Sequence, residues 1–376
     1  MSLRSFVLVR TISARQKALP SPFWRGHRGL LRLLGIVGLL VAAFGAQACY
    51  QQQTGMIVGR PLASHETHLH TVVFSSRPGV VYLGTHFGLF TSHDSGQTWP
   101  QRQGSLNAMM ITAVAVSPTN PDLLAVLSVP NGGSGGKQGI WVSADGGSHW
   151  HCTLPARLPG SAYPYAIQSA SGSGGHFYVF FPFAGWFETR DLGSHWSSLT
   201  DSLTSTMQTS TLLIDPTNPA HLLMGGEAGL FETASDGKTW QQLTQVQGSI
   251  IALVGMRGSS GPATTVFCAT DRGLYRGVVR AGQLAWSALS PPPAVPPTRL
   301  TISADGSALY ALFGSNLWFS ADQGTTWVQR GHFARSDLVA LSLDPVHPHN
   351  LLAGFFWPGL VLLSTDQGGS WHTLTD

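Results

Sequence analysis

A group of histidines near residue 65 has the clearest potential for chemistry. His65, Glu66, His68 and His70 are side chains of the types that bind metal ions, and on a β-strand His68 and His70 would share a face. The group lacks the His-Glu-x-x-His spacing of helical zinc sites. The main prediction is therefore a polar segment that leads into the first strand, with no metal ion and no other cofactor, and metal binding by this group is the minority alternative.

Two acids could form a catalytic pair. Glycoside hydrolysis uses two carboxyl groups that flank the glycosidic bond. Glu227 and Asp271 stand in equivalent loops of two neighbouring copies of a repeat, whereas several other acids, such as Asp215 and Asp344, belong to tight turns. Glu227 and Asp271 are the minority candidates for catalysis, and the main expectation is that no residue is catalytic.

The elements that must position these residues follow from a turn that recurs along the chain. Five copies, at 92–99, 143–150, 189–196, 320–327 and 364–371, share Ser or Thr, Asp, Gly and Trp at fixed spacing. A sixth copy has Ser235 in place of the aspartate, and a seventh keeps only its tryptophan. The residues assigned to this boxed turn are Asp94, Gly96, Trp99, Asp145, Gly147, Trp150, Asp191, Gly193, Trp196, Trp240, Trp286, Asp322, Gly324, Trp327, Asp366, Gly368 and Trp371.

A second element repeats in phase with the boxed turn. Upstream of it stand two apolar strands joined by a Ser-Pro or Asp-Pro turn, as at 114–125, 213–224 and 341–353. The seven boxed tryptophans follow one another at intervals of 41 to 51 residues, which suits four short strands per unit. We therefore predict an all-β fold, a single seven-bladed β-propeller of four-stranded antiparallel blades that spans residues 68–376.

The boxed turn resembles the Asp-box, or bacterial neuraminidase repeat, of sialidases, sortilin-type receptors, xyloglucan-cleaving glycosidases and the photosystem II stability/assembly factor family. The resemblance implies a β-propeller, but it occurs in enzymes and non-enzymes alike. In such a turn the carboxylate or hydroxyl can accept backbone N–H groups, the glycine can take a positive φ, and the tryptophan can pack into the blade. We predict structural and not catalytic roles for the box aspartates.

An enzyme of sialidase type would need more than the boxed turns. Sialidases use an arginine triad. In the chain after the leader, only Arg60-Pro61 partly matches their Arg-x-Pro signature. Sialidase propellers have six blades, and the xyloglucan-cleaving enzymes use two propellers that face each other. The expected function is therefore a non-catalytic protein-binding or assembly scaffold, with a sialidase-like glycosidase or a carbohydrate-binding module as the alternative.

A partner would bind on the face that carries the loops between second and third strands and between blades, because aromatic residues and prolines concentrate there. Phe87, Phe355, Phe356 and Trp357 belong to adjacent blades one and seven. We predict that they form an apolar recognition patch for a protein segment or a glycan. The alternative, that they fold inward and plug the central channel, stays open.

The first 67 residues predict export. Residues 1–32 form a basic leader, residues 33–48 an apolar signal or anchor segment that contacts the membrane, and residues 49–67 a linker. Cleavage after Ala48, retention as an anchor and lipidation of Cys49 all remain open. The chain after residue 48 holds 14 basic and 18 acidic residues, a formal charge of −4, so nucleic acid is not an expected partner. We expect an extracytoplasmic, monomeric protein.

Overall fold

The computed structural model describes residues 68–374 except for the short segments 101–104, 108, 131–136, 160–161, 171–173, 204–209, 258–263, 281–282, 292 and 294. The predicted leader, apolar segment and linker lie outside the described residues, as do Arg60, His65 and Glu66. Within the described part, no helix is long and apolar enough to cross a membrane.

Seven antiparallel sheets follow one another along the described chain, and each is built from strands that are consecutive in sequence. Blades one to three contain β1 (Leu69–Phe74), β2 (Val81–Thr85) and β3 (Gly88–Ser92); β4 (Met110–Val116), β5 (Leu124–Val129), β6 (Gly139–Ser143) and β7 (His151–Thr153); and β8 (Ala166–Ser169), β9 (Phe177–Phe181), β10 (Gly185–Thr189) and β11 (Ser197–Ser198). Blades four and five contain β12 (Thr211–Asp215), β13 (Asn218–Gly226), β14 (Gly229–Thr233) and β15 (Gln241–Leu243); and β16 (Ile250–Arg257), β17 (Thr264–Thr270), β18 (Gly273–Arg280) and β19 (Gln283–Leu289). Blades six and seven contain β20 (Arg299–Ile302), β21 (Leu309–Phe313), β22 (Asn316–Ser320) and β23 (Val328–His332); and β24 (Leu338–Leu343), β25 (Leu351–Phe355), β26 (Leu360–Ser364) and β27 (His372–Thr373).

The fold is an all-β, seven-bladed propeller, as the sequence predicts. Six of the blades have four strands each in the described residues. Blade one shows three, and the stretch after Trp99, where its fourth strand is expected, includes the undescribed residues 101–104. The fourth strands of blades two, three, four, six and seven begin one residue after the boxed tryptophan and not on it, whereas Trp286 lies inside β19.

Apolar packing between blades holds the ring together. Each of seven buried clusters joins two neighbouring blades. The second strands lie in the middle of these layers, so that β2, β9, β17, β21 and β25 are buried along their whole length. Burial on both faces explains why these strands are largely apolar in the sequence and do not alternate apolar and polar residues.

Blades seven and one close the ring by packing side by side. The first strand of blade one lies against β24 and β25, and the amide of Phe74 donates to Ser342 Oγ at 3.2 Å. The amide of Leu69 donates to the carbonyl of Phe356 at 3.1 Å. Among the described residues each of these two blades keeps its own strands, and packed side chains together with these hydrogen bonds join them.

Candidate functional site

The boxed turns use their polar side chains within the turn itself. In the first copy, Ser92 Oγ accepts the amide of Gly96 at 2.7 Å and donates to Asp94 Oδ1 at 2.7 Å. Asp94 in turn accepts the amide and the hydroxyl of Thr98, at 2.9 and 2.6 Å. These hydrogen bonds, from Ser92 first and then from Thr98, lower the pKa of Asp94 to about 2. The carboxylate is therefore ionised at neutral pH and occupied by its own hairpin.

Backbone conformation and packing explain the other fixed positions of the box. The residue before the box glycine has a positive φ in each described copy that keeps the turn, as in Ser95 (61°) and Leu192 (55°), and the glycine itself follows with a positive φ. Two tryptophans donate to the preceding blade: Trp196 Nε1 to Thr153 Oγ1 at 3.0 Å, and Trp240 Nε1 to the carbonyl of Leu199 at 3.1 Å. Trp327 and Trp371 instead donate to the carbonyl of the glycine in their own turn, but they too pack in the cluster shared with the preceding blade. The boxed turn thus fastens one blade to the previous one.

The hydroxyl of Ser320 allows a direct test of the box. Its Oγ is buried and accepts the amides of Gly324 at 2.7 Å and Asp322 at 3.4 Å. We expect Ser320→Ala to lower the free energy of unfolding by about 1–2 kcal/mol, because a buried amide loses its acceptor. Chemical denaturation measures this change. Ser320→Thr is the matched control, since Thr189 and Thr233 occupy the same position in other copies; an equal loss in both variants would count against the hydrogen-bond explanation.

The opposite face carries the variable loops. The boxed turn and the turn between first and second strands share one face, because the amide of Ser95 donates to the carbonyl of Gly79 and that of Gln367 to the carbonyl of His349. The loops between second and third strands therefore lie on the other face, here called the loop face. These loops include 86–87, 182–184, 227–228, 271–272 and 356–359.

The predicted aromatic patch is only partly present on the loop face. Trp357 is 46% exposed, and Phe87 and Phe356 are half-buried. Phe355 is 1% exposed, which corrects its assignment to the patch. It is the last residue of β25 and packs edge-on against Phe333 in the core between blades six and seven, because strand alternation turns it away from the loop.

An ion pair holds the loop that carries Trp357. Arg335 Nε donates to Asp337 Oδ1 at 2.8 Å, and the Arg335 guanidinium also donates to the carbonyls of Trp357 at 2.6 Å and Pro358 at 2.9 Å. Asp337 Oδ2 accepts the amide of Trp357 at 3.0 Å. The loop contains a cis Trp357-Pro358 peptide. The hydrogen bonds with Arg335 and Asp337 thus present the exposed indole on a fixed support.

Three imidazoles lie beside this loop. His68 precedes β1, His70 lies on β1, and His86 follows β2; the ring of His86 meets the ring of His68 edge-on at 4.5 Å and stacks on that of His70 at 4.7 Å. Phe356 stacks on His68 at 5.0 Å, and Trp357 meets His68 edge-on at 4.6 Å. We call the three histidines the imidazole cluster. His68 and His70 both contact the ring of His86, although His68 lies before the strand and not on it. His86 was not anticipated, because only the β1–β2 pairing brings it there.

Burial keeps the imidazole cluster neutral. It lowers the pKa of His86 to about 3, with a further contribution from His68, and it lowers the pKa of His70 well below its usual value, with contributions from His86 and His68. The pKa of His68 is also lowered by burial. Across the described part of the chain, no three His, Cys, Asp or Glu side chains are arranged to hold one metal ion.

The structure places the minority catalytic candidates in equivalent turns. Glu227 lies in the β13–β14 turn and Asp271 in the β17–β18 turn, both on the loop face. Asp271 Oδ1 accepts the amide of Ser249 at 2.8 Å, while Glu227 is exposed. Asp271 therefore has a backbone partner that explains its presence without catalysis.

Sequence reasoning missed a buried charged network in blade four. His221 Nδ1 lies 2.9 Å from Asp215 Oδ2, and its Nε2 lies 2.8 Å from Glu232 Oε1. All three side chains are buried. Burial opposes the charge on His221, but the hydrogen bonds to Asp215 and Glu232 outweigh it and raise the pKa of His221 to about 9. The network lies on β12–β14, inside the blade, and holds three strands together.

Comparisons with solved structures show which proteins share this fold. The GH74 xyloglucanase of Xanthomonas campestris matches with a TM-score of 0.63 and 17% identity, over 84% of this chain and 55% of the enzyme. YCF48 from Cyanidioschyzon merolae matches with a TM-score of 0.58 and 16% identity, over 81% of this chain and 97% of YCF48. The dihydro-heme d1 dehydrogenase NirN matches with a TM-score of 0.52 and 11% identity, over 81% of this chain and 66% of NirN.

These similarities extend to the propeller fold alone. The chain spans about half the length of the xyloglucanase but nearly the whole of YCF48. No protein-family model matches it, and no curated protein matches it. Since the three solved structures carry unrelated names on one fold, the fold does not decide the function.

Proposed function

We propose that this protein is a non-catalytic β-propeller that binds a protein segment on its loop face and acts as a binding or assembly scaffold. The observation that carries the proposal is Trp357, an indole 46% exposed that is fixed by the Arg335–Asp337 pair. Exposed aromatic side chains on a rigid support lose little conformational entropy on binding and are enriched at protein interfaces.

Further exposed aromatics on the loop face support the proposal. Phe183, in the β9–β10 loop of blade three, is 74% exposed. Tyr163 and Tyr165, in the segment that leads into β8, are also exposed. Apolar side chains of this size are ordinarily buried, so their concentration on one face is typical of a contact surface.

The structural use of the acids also supports a binding role over hydrolysis. The box carboxylates are occupied by their own turns, and Asp271 accepts a backbone amide. The boxed turns resemble those of the assembly-factor family, and this resemblance is compatible with a scaffold. The match to YCF48 covers nearly the whole length of that protein, so this propeller matches it without a second large domain left over.

The location that we propose is extracytoplasmic, with residues 33–48 serving as a cleaved signal or as a membrane anchor. The basic leader followed by an apolar segment supports export. The partner would then be a protein of the cell envelope.

We expect Trp357→Ser to reduce capture of an envelope protein by about tenfold or more, since an aromatic anchor at the centre of an interface contributes about 2 kcal/mol or more. The full chain is expressed, recovered from the envelope fraction and crosslinked there, and the captured proteins are quantified by mass spectrometry. Recovery of the full chain from the cytoplasm alone would contradict the proposed location.

Val346→Ser is the matched control for this experiment. Val346 is also exposed, but it lies in the turn between β24 and β25, on the face opposite Trp357. Equal capture by wild type and by the Trp357 variant would refute the loop face as the binding surface. Binding that disappears on deglycosylation of the partner would point to a glycan instead, and hydrolysis of chromogenic glycosides that is lost in Glu227→Gln would support a glycosidase.

A further inference from the structure

We propose that His68 and His86 bind a divalent transition-metal ion on the loop face, at the boundary of blades one and seven. The Nδ1 atoms of the two side chains are 3.3 Å apart. Two imidazole nitrogens that bind one tetrahedral ion at roughly 2.0–2.1 Å are separated by about 3.3–3.4 Å. The nitrogen spacing therefore fits a shared ion, and imidazole is a ligand that suits Zn²⁺, Cu²⁺ and Ni²⁺.

Backbone hydrogen bonds hold the two histidines beside each other before any ion binds. The amide of His86 donates to the carbonyl of His68 at 3.2 Å, and the neighbouring amide of Leu69 donates to Phe356. Phe356 and Trp357 pack on the ring of His68 from the blade-seven side. The ring centroids, at 4.5 Å, are slightly closer than the roughly 5 Å of two rings that converge on one ion, so binding needs a small rotation of the rings.

The charged groups packed nearest to the Trp357 loop, Arg335 and Asp337, are paired with each other. The described residues supply two ligands, and water or a donor group from a bound molecule would complete the coordination.

A second observation concerns His70, the third histidine of the cluster. His70 stacks on His86, and its Nε2 is shielded from solvent with no hydrogen-bond partner among the described residues. A buried polar nitrogen without a partner costs free energy, so a water molecule or another polar group beside His70 would stabilise it. A hydrogen bond between two neutral imidazoles is the competing explanation for the 3.3 Å contact, and it predicts no affinity for metal ions.

Copper and zinc titrations of the full chain, freed of metal by a chelator, distinguish these explanations. We expect one equivalent of Cu²⁺ to bind and to quench the fluorescence of Trp357, whose ring is 4.6 Å from that of His68. Zn²⁺ binding, followed by calorimetry, should weaken about tenfold or more in His68→Ala. His372→Ala, which removes an exposed histidine of β27, should leave the affinity unchanged.

Three controls keep the result decisive. His86→Asn tests the second ligand, and His68→Ala, at a half-buried position, remains informative if the His86 variant fails to fold. Trp357→Phe should retain Zn²⁺ binding while it loses the Cu²⁺ quenching signal. The proposal would be overturned if both histidine variants bound Zn²⁺ with the affinity of the wild type. Neither result bears on partner capture at Trp357.

Discussion

Replacing His221 by leucine should lower the free energy of unfolding by about 3–5 kcal/mol. The imidazolium separates the buried carboxylates of Asp215 and Glu232, which it contacts at 2.9 and 2.8 Å. Without it, two acids would share a buried site with no opposite charge between them. Thr217 and Thr264 donate hydrogen bonds to Asp215, but they bring no positive charge. Urea denaturation of the wild type and the variant measures the difference.

The matched control uses an exposed pair with the same residue types. His195 Nδ1 lies 2.5 Å from Asp191 Oδ2, and the histidine side chain is 90% exposed. Because water and salt screen such a pair, His195→Leu should change stability little. A loss in His221→Leu no greater than the loss in His195→Leu would show that the buried network does not stabilise the blade.

The pH dependence gives the His221 prediction a second signature. A folded-state pKa of about 9 lies above the ordinary value of 6.5, so the contribution of His221 is fully present below pH 6.5 and is lost as the pH rises to 9. The pKa values of Asp215 and Glu232 are lowered, so their contributions are present above their usual pKa values and are lost in more acidic solution. The wild type should therefore lose stability relative to His221→Leu between pH 6.5 and 9.

Much of the fold could be predicted because the turns that separate its strands are specified by residues close together in the sequence. A boxed turn needs a hydroxyl, a carboxylate, a glycine and a tryptophan within eight residues, so each copy is visible in the sequence, and seven tryptophans give seven blades. Trp286 shows how far this holds: the turn before it has lost the box, yet the strand that contains the tryptophan still forms the outer edge of blade five.

The contacts that escape prediction are those that depend on pairing across strands or blades. Phe355 was assigned to the exposed patch with Phe356. However, Phe355 is the last residue of β25 and packs in the core, whereas Phe356 is the first residue of the loop that follows. His221 belongs to an Asp-Pro turn segment in the sequence, and only the β13–β14 register sets it beside Glu232. His86 joins His68 through the β1–β2 hairpin in the same way.

Three glycines lie where neighbouring blades approach each other closely, which is visible only in the assembled ring. Gly84, Gly225 and Gly354 occupy equivalent positions near the end of the second strand in blades one, four and seven. A Cβ atom at Gly84 would lie 2.8 Å from the carbonyl oxygen of Ile111, and one at Gly225 would lie 2.6 Å from the Cβ atom of Ile250. At each of these positions the first strand of the next blade approaches too closely for a side chain.

At the ring closure, Gly354→Ala should lower the free energy of unfolding by about 2–3 kcal/mol. A Cβ atom there would lie 2.7 Å from Leu69 Cδ2 and 3.0 Å from Val72 Cγ1, both on β1 of blade one. Both side chains are fully buried, so they can move away only by displacing their neighbours, and the overlap pushes blades seven and one apart. Thermal denaturation reports the loss, and faster proteolysis of the chain would show that the ring opens at this boundary.

A double variant separates the steric cause from a general loss of stability. Leu69→Ala removes the Cδ2 atom that meets the new methyl group, so Gly354→Ala with Leu69→Ala should cost less than the sum of the two single changes, by about 1–2 kcal/mol. Gly225→Ala creates the same kind of overlap between blades four and five, and Leu69→Ala should not relieve it. Additive losses in the Gly354 pair would mean that β1 does not hold the closed ring through this contact. Relief specific to that pair would show that the propeller closes on β1, the strand that carries His70 and is preceded by His68.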